Sequence, residues 1–200
     1  MQVTHKLIFP ETIGLVACGG RSRRMGTDKS MLQYYGQPQR YYVYKMLQPL
    51  CEKLFLSCNE AQAQTIDEGY LFLTDNPANS DIGPMTALLT AYENFPQMNF
   101  LLIGCDYPFL TATDLQHFSA HCIDKAASFY NQDENIYEPL LAWYPYQLYN
   151  RLQQMQAAKQ YSLQHLLKDN RAVKFCPTNE SSIISIDTKE AFVETYDKIA

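Results

Sequence analysis

Four cations, Arg21, Arg23, Arg24 and Lys29, fall within nine residues directly after the glycine pair Gly19-Gly20. Glycines remove side chains where a backbone must turn and approach a ligand closely, and the amides of such a turn form a nest for anions. Guanidinium and ammonium groups beside the nest add charge-assisted contacts to phosphate oxygens. The whole chain carries a formal net charge of −5, so this basic run is a local exception. Its partner is a small polyanion, because a nucleic-acid footprint needs a basic surface that extends further. The pattern is not a Walker A loop: five residues separate Gly20 from Gly26, and Thr27 follows where a lysine is required. Nor is it the dinucleotide G-x-G-x-x-G. Lys29 lies nine residues past the second glycine, far enough to fold back over a triphosphate.

A second constellation is Gly104-Cys105-Asp106-Tyr107-Pro108-Phe109, where an apolar run ends in one carboxylate. By itself such an aspartate reads equally as a turn or capping residue. Beside a phosphate cradle it reads as a ligand for Mg²⁺, which takes one or two carboxylates and fills its other positions with water and phosphate oxygens.

The run Ala17-Cys18-Gly19-Gly20-Arg21-Ser22-Arg23-Arg24-Met25-Gly26-Thr27-Asp28-Lys29 closely resembles the L-A-G-G-x-S-x-R-M-G-x-D-K signature of the molybdenum cofactor guanylyltransferases and their MobA-like nucleotidyltransferase relatives. Ala17-Cys18 stands for Leu-Ala, a change between small apolar residues. The Asp106 segment resembles the same family's second motif, whose aspartate binds magnesium. Ser57-Cys58-Asn59 is similar to an S-x-N segment whose asparagine helps recognise guanine; an amide offers a base edge both a donor and an acceptor. Asp75 through Gly83-Pro84-Met85-Thr86-Ala87 resembles a D-x(n)-G-P-L-x-G/A segment. Asp75 and Asp81 compete for its aspartate role, and the spacing to Gly83 favours Asp75. Glu138-Pro139-Leu140-Leu141-Ala142-Trp143-Tyr144 and Ser162-Leu163-Gln164-His165-Leu166-Leu167 resemble late packing segments. Asp187 stands where the family has an asparagine.

The resemblance implies an α/β, three-layer, Rossmann-like nucleotidyltransferase fold and transfer of GMP from GTP to the phosphate of molybdenum-bound molybdopterin, with pyrophosphate released. It implies Arg24, Lys29 and Asp106 as catalytic residues, and Ala17, Cys18, Gly19, Gly20, Lys29, Asn59, Asp75 and Asp106 around the nucleotide. Asp106 would hold Mg²⁺, and Gly83 and Asp187 would face the second substrate. Relatives with the same loop transfer cytidylyl groups, or nucleotidyl groups to sugar and alcohol phosphates, and a nucleotide-binding module without turnover is a further alternative.

These residues need a scaffold. Strand-length apolar runs lie at Ile13 to Cys18, Lys53 to Cys58, Tyr70 to Leu73, Phe100 to Cys105, Ala126 to Tyr130, Tyr137 to Tyr144 and Ile183 to Ile186. Helical stretches alternate with them at Arg40 to Leu50, Pro84 to Phe95, Thr113 to His121, Pro145 to Gln156, Ser162 to Lys168 and Thr188 to Lys198, with Thr111 or Thr113 and Ser162 as caps. Alternation of this kind predicts a mostly parallel twisted sheet with helices on both faces, and ligands at the carboxyl ends of its strands. Tyr137 to Tyr144 follows the polar turn Asn131 to Asn135 closely enough to be an antiparallel hairpin partner.

Two hundred residues with 46% apolar content suit one domain, residues 1–200, with an ample core. Its apolar runs are too short for a membrane span or a signal peptide. Six cysteines without a C-x-x-C pair read as reduced thiols of a cytoplasmic protein. The expected state is a monomer, touching other cofactor-biosynthesis or acceptor proteins only transiently, with no nucleic acid or membrane partner. His117, His121 and Cys122 form a possible zinc face with no evident fourth ligand, and read as a solvated polar surface.

Overall fold

A computed structural model describes residues 7–18, 28–79 and 82–199. The seven strands are β1 (Phe9–Ala17), β2 (Cys51–Cys58), β3 (Phe72–Thr74), β4 (Asn99–Gly104), β5 (Ala127–Asn131), β6 (Ile136–Tyr144) and β7 (Val173–Phe175). They form one sheet in the order β3-β2-β1-β4-β6-β5-β7. β1 pairs in parallel with β2 and β4, and β3 extends that parallel half. β6 runs antiparallel to both β4 and β5, as the hairpin expectation required, while β7 is parallel to β5. The reversal brings the first residues of β6 to the edge where β1, β2 and β4 end.

Alternation along the strands sorts the core into two layers. On one face Val16, Leu56, Leu101 and Ile103 pack with Tyr44 and Leu47 of α1 (Gln39–Leu47) and with Leu115 and Phe118 of α4 (Ala112–Ser119). On the other, Leu15, Phe100 and Leu102 meet Leu88 and Tyr92 of α3 (Met85–Asn94), Leu152 of α5 (Tyr149–Ala157) and Leu166 of α6 (Leu163–Asp169). Burying each such side chain stabilises by about 1.5–3 kcal/mol, and a sheet covered on both faces explains why β1 and β4 read as unbroken apolar runs. The short α2 (Glu60–Ala63) follows β2, and α7 (Lys189–Ile199) closes the chain. Thr111 and Ser162 cap α4 and α6 by accepting from the Asp114 and His165 amides.

Two expectations need correction. Ile183 to Ile186 is not a strand: Glu180–Ile183 is a 3₁₀ turn, because the Asn179 side chain accepts from the Ser181 amide and winds the backbone locally. The seventh strand is instead Val173–Phe175, three residues entered through Arg171 at φ 49°, too short to register as a periodic run. The helix expected from Pro145 starts only at Tyr149, after a 3₁₀ turn at Tyr146–Leu148. All six cysteines are free thiols. Among the described residues no helix is long and apolar enough to cross a membrane.

Candidate active site

β1 delivers Ala17 and Cys18, both buried, to the carboxyl edge of the sheet. The Cys18 amide donates to the Ser57 carbonyl (3.0 Å) and the Cys105 amide to the Ala17 carbonyl (3.2 Å), so both neighbouring strands hold the start of the glycine loop. Gly19, Gly20, Arg21, Arg23 and Arg24 lie outside the described residues. At Asp28 the carboxylate accepts from the Ser30 amide (2.9 Å) and starts a 3₁₀ turn, Lys29–Met31. Gln62 of α2 ties the two flanks together. Its amide nitrogen donates to the Cys18 carbonyl (3.3 Å) and to Asp28 Oδ2 (2.9 Å). Sequence reasoning missed this residue; the readable signal was the capping box Asn59-x-x-Gln62.

Lys29, Asp106 and Asp187 converge. The Asp106 carbonyl accepts from the Ile186 amide (2.8 Å), which anchors the next residue, Asp187, where its carboxylate accepts from Lys29 Nζ. Asp106 Oδ1 is sealed from solvent and has no hydrogen-bond partner among the described residues. Burial pushes its carboxyl above the usual carboxylate range; its own backbone amide and Lys29 oppose that shift, and Asp187 reinforces it. A Cβ at position 104 would collide with Asp106 Oδ1, so Gly104 makes room for this carboxylate. An orphaned carboxylate oxygen beside one further carboxylate and a lysine fits a hard cation that takes most of its ligands from water and phosphate. A site made wholly of protein ligands does not form: no cluster of three or more His, Cys, Asp or Glu able to hold a metal occurs among the described residues. Of the expected polar face only His117 is exposed: His121 packs on the Phe175 ring and Cys122 packs against the core and donates to the Phe118 carbonyl (3.5 Å), because the chain turns inward after α4. Tyr34, packed edge-on against Phe192 of α7, places a buried hydroxyl with no partner among the described residues where the Asp106 charge acts on it.

Asn59 and Asp75 lie on the other side of β1 from Asp106, at the ends of β2 and β3. Asn59 is exposed and its Oδ1 accepts from the Gln62 amide (2.9 Å), capping α2. Asp75 donates its amide to the Cys58 carbonyl (2.8 Å) and accepts from the Ser57 hydroxyl (3.4 Å). Burial pushes its carboxyl up to about 6, against the lowering effect of Ser57. Gly83, at φ 67°, turns the chain into α3, and among the described residues nothing lies within 4 Å of where a Cβ would stand. Asp81 lies outside the described residues.

Beyond Asp106 the edge continues as a groove of about 760 Å³, between the β5–β6 hairpin and residues 176–185. Tyr107 joins the two regions by donating its hydroxyl to Glu138 Oε2 (3.0 Å).

The sequence model of the MobA-like NTP transferase domain matches residues 14–173. The chain belongs to the MobA-like NTP transferase family. Its members are nucleotidyltransferases, in keeping with a glycine loop and a strand-end carboxylate on one sheet edge. This MobA-like chain is 39% identical over 134 residues to a molybdenum cofactor biosynthesis bifunctional protein of Synechocystis sp., covering 66% of this chain but only 38% of that protein. It is 27% identical over 192 residues to a molybdenum cofactor guanylyltransferase of Ectopseudomonas mendocina, covering 95% of this chain and 93% of the relative. The MobA-like fold is also that of molybdopterin-guanine dinucleotide biosynthesis protein A from Archaeoglobus fulgidus, with a TM-score of 0.74, 20% identity, and 93% and 97% of the two chains covered.

Proposed function

We propose that the chain is a molybdenum cofactor guanylyltransferase, acting as one unit over residues 1–200 in the cytoplasm. It would transfer GMP from GTP to the phosphate of molybdenum-bound molybdopterin. The observation that carries the reading is the meeting of Lys29, Asp106 and Asp187 beside the mouth of the glycine loop. Similarity over nearly the full length to a relative named for this activity supports the choice of substrates.

In this scheme an acceptor phosphate oxygen attacks the α-phosphorus of GTP. The bond to the β-phosphate bridging oxygen breaks, and pyrophosphate leaves with the electron pair. Arg24 and Lys29 neutralise the triphosphate and the charge that develops on the leaving group. The glycine loop at Ala17 to Gly20 fixes the phosphates, and Gln62 fixes the flanks of that loop. Asp106, with its vacant oxygen, and Asp187 would hold Mg²⁺. When bound, that ion supplies Lewis-acid polarisation of the α-phosphate. Asn59 would offer its free amide nitrogen to guanine, and Asp75 would line the nucleoside side. Gly83 would border the acceptor.

The test is a thermal-shift panel of GTP, CTP, ATP and UTP with magnesium. GTP at 100 times its dissociation constant should stabilise by about 2.7 kcal/mol, more than the other three. A larger shift with CTP would replace guanylyl by cytidylyl transfer, and no shift with any nucleotide would remove the transferase reading.

A further inference from the structure

The groove beyond Asp106 occupies the half of the strand edge that the nucleotide does not need. Ala17-Cys18, Asn59 and Asp75 follow β1, β2 and β3, whereas the groove lies over β6, β5 and β7 with the Asp106 turn between. Its volume is that of a small-molecule site. One wall carries Ile136 and the other Ile184, 36% and 48% exposed, an apolar pair on which a flat ring can lie. The charged lining is Asp133, Glu134, Glu138 and Glu180, all acceptors when ionised, beside neutral amides and hydroxyls that can donate or accept. The carboxyls of the lining disfavour phosphate and favour N–H groups; Lys174, the cation beside the groove, is stacked on the Tyr130 ring, and Lys29 lies beyond, at the Asp106 end. A molecule with an anionic tail and a donor-rich ring has only one favourable orientation across this edge.

We propose that Glu138 reads the ring of the acceptor, accepting hydrogen bonds from the N–H edge of a 2-amino-4-oxopteridine seated in this groove. The inference rests on the guanylyl-transfer reading, which requires a pterin-bearing acceptor and leaves open which residue recognises it. Glu138 is half-buried, and Tyr107 fixes its orientation by occupying Oε2. Oε1 accepts no hydrogen bond from the described residues and is available to the ring. Burial pushes the Glu138 carboxyl up to about 7, against the lowering effect of Tyr107. In its ionised form Oε1 and the second lone pair of Oε2 accept two charge-assisted, directional bonds from the 2-amino group and N3–H. A ring with a carbonyl at position 2 presents an acceptor to the same carboxylate and is rejected, because two acceptors leave each other unsatisfied. Tyr107 and Glu138 also link this recognition to Asp106 through one turn of backbone.

The probes are pterin and lumazine, its 2-oxo analogue, titrated by fluorescence against the full chain with magnesium and GTP present. Wild type should bind pterin about 10-fold or more tightly than lumazine, and Glu138→Gln, which swaps an acceptor for a donor at unchanged size, should erase that preference. GTP affinity, measured in the same samples, should stay within about twofold, since Glu138 lies outside the nucleotide half. No pterin binding at its solubility limit, equal affinity for the two rings, or an unchanged preference in Glu138→Gln overturns the proposal while GTP binding is intact. Loss of GTP binding by wild type instead overturns the transferase reading on which it rests.

Discussion

The Gln62 side-chain amide lies 2.9 Å from Asp28 Oδ2, and its second hydrogen reaches the Cys18 carbonyl, so one buried residue pins both flanks of the phosphate-loop candidate. Gln62→Glu keeps the oxygen that caps the Asn59 amide and turns the donor toward Asp28 into a second acceptor. The expected cost is about 1–3 kcal/mol of stability and on the order of 10-fold in GTP affinity, since the flanks separate and Lys29 shifts with Asp28. Urea unfolding and GTP titration check this; an unchanged affinity would disconnect the clamp from the ligand.

Lys29→Ala should slow turnover by on the order of 10²-fold, the loss of one group aimed at developing charge. Its pair with the half-exposed Asp187 contributes only about 0–1 kcal/mol to folding, so melting should hardly move. Arg24→Ala should depress the rate similarly. Steady-state kinetics beside a melting curve separate the two effects, and wild-type rates in both variants would take the loop out of the active site.

Asp106→Asn removes a charge at constant volume. Activity should no longer respond to magnesium, while melting stays level or rises, because burial opposes ionisation of this carboxyl in the native state. Magnesium titration of rate decides it: an unaltered requirement would assign the ion to other residues.

Asp75 gives a pH dependence with a definite sign. Its native carboxyl is raised from 3.8 to about 6, so its contribution to stability is whole below pH 3.8 and is lost as pH rises through 6. Asp75→Asn escapes that loss. After discounting for its partial exposure, the variant should be more stable than wild type by about 1 kcal/mol at pH 8, and the gap should close near pH 4. Melting curves across that range measure it, and a gap independent of pH would refute the assignment.

Asn59 has a structural duty that complicates the usual alanine test. Its side chain caps α2, and alanine would cost about 1 kcal/mol for that reason alone. Asn59→Ser keeps a capping oxygen and removes the amide that could pair with a base. Competition of labelled GTP against ATP and CTP should show a reduced preference for guanine at nearly unchanged melting. A preference equal to wild type leaves Asn59 as a cap only.

Lys29 and Asp106 were legible in the sequence because their neighbours in the chain define them: a glycine pair upstream, a strand-end turn before a proline. The hairpin partner was legible from Asn131 to Asn135. Gln62 was not, since its contacts span 34 and 44 residues, nor was the partnership of Lys29 with Asp187 across 158. Ile183 to Ile186 misled for a local reason, the Asn179 cap overriding two adjacent isoleucines of strand propensity. Glu138 looked like a packing residue, and its bond to Tyr107 was hidden, because nothing in either segment shows that the two strands are neighbours.

The reversal of β6 divides the catalytic edge into parts that can change independently. Everything that lines it on the β1, β2 and β3 side comes from loops that follow strands, whereas the β6 side is furnished by a hairpin tip, residues 131–136, and by a segment that follows β7. Lengthening or recharging that tip would reshape the groove without moving the glycine loop or Asp75. A fold arranged in this way can trade one acceptor for another by altering a surface turn, and keep its nucleotide chemistry intact while doing so.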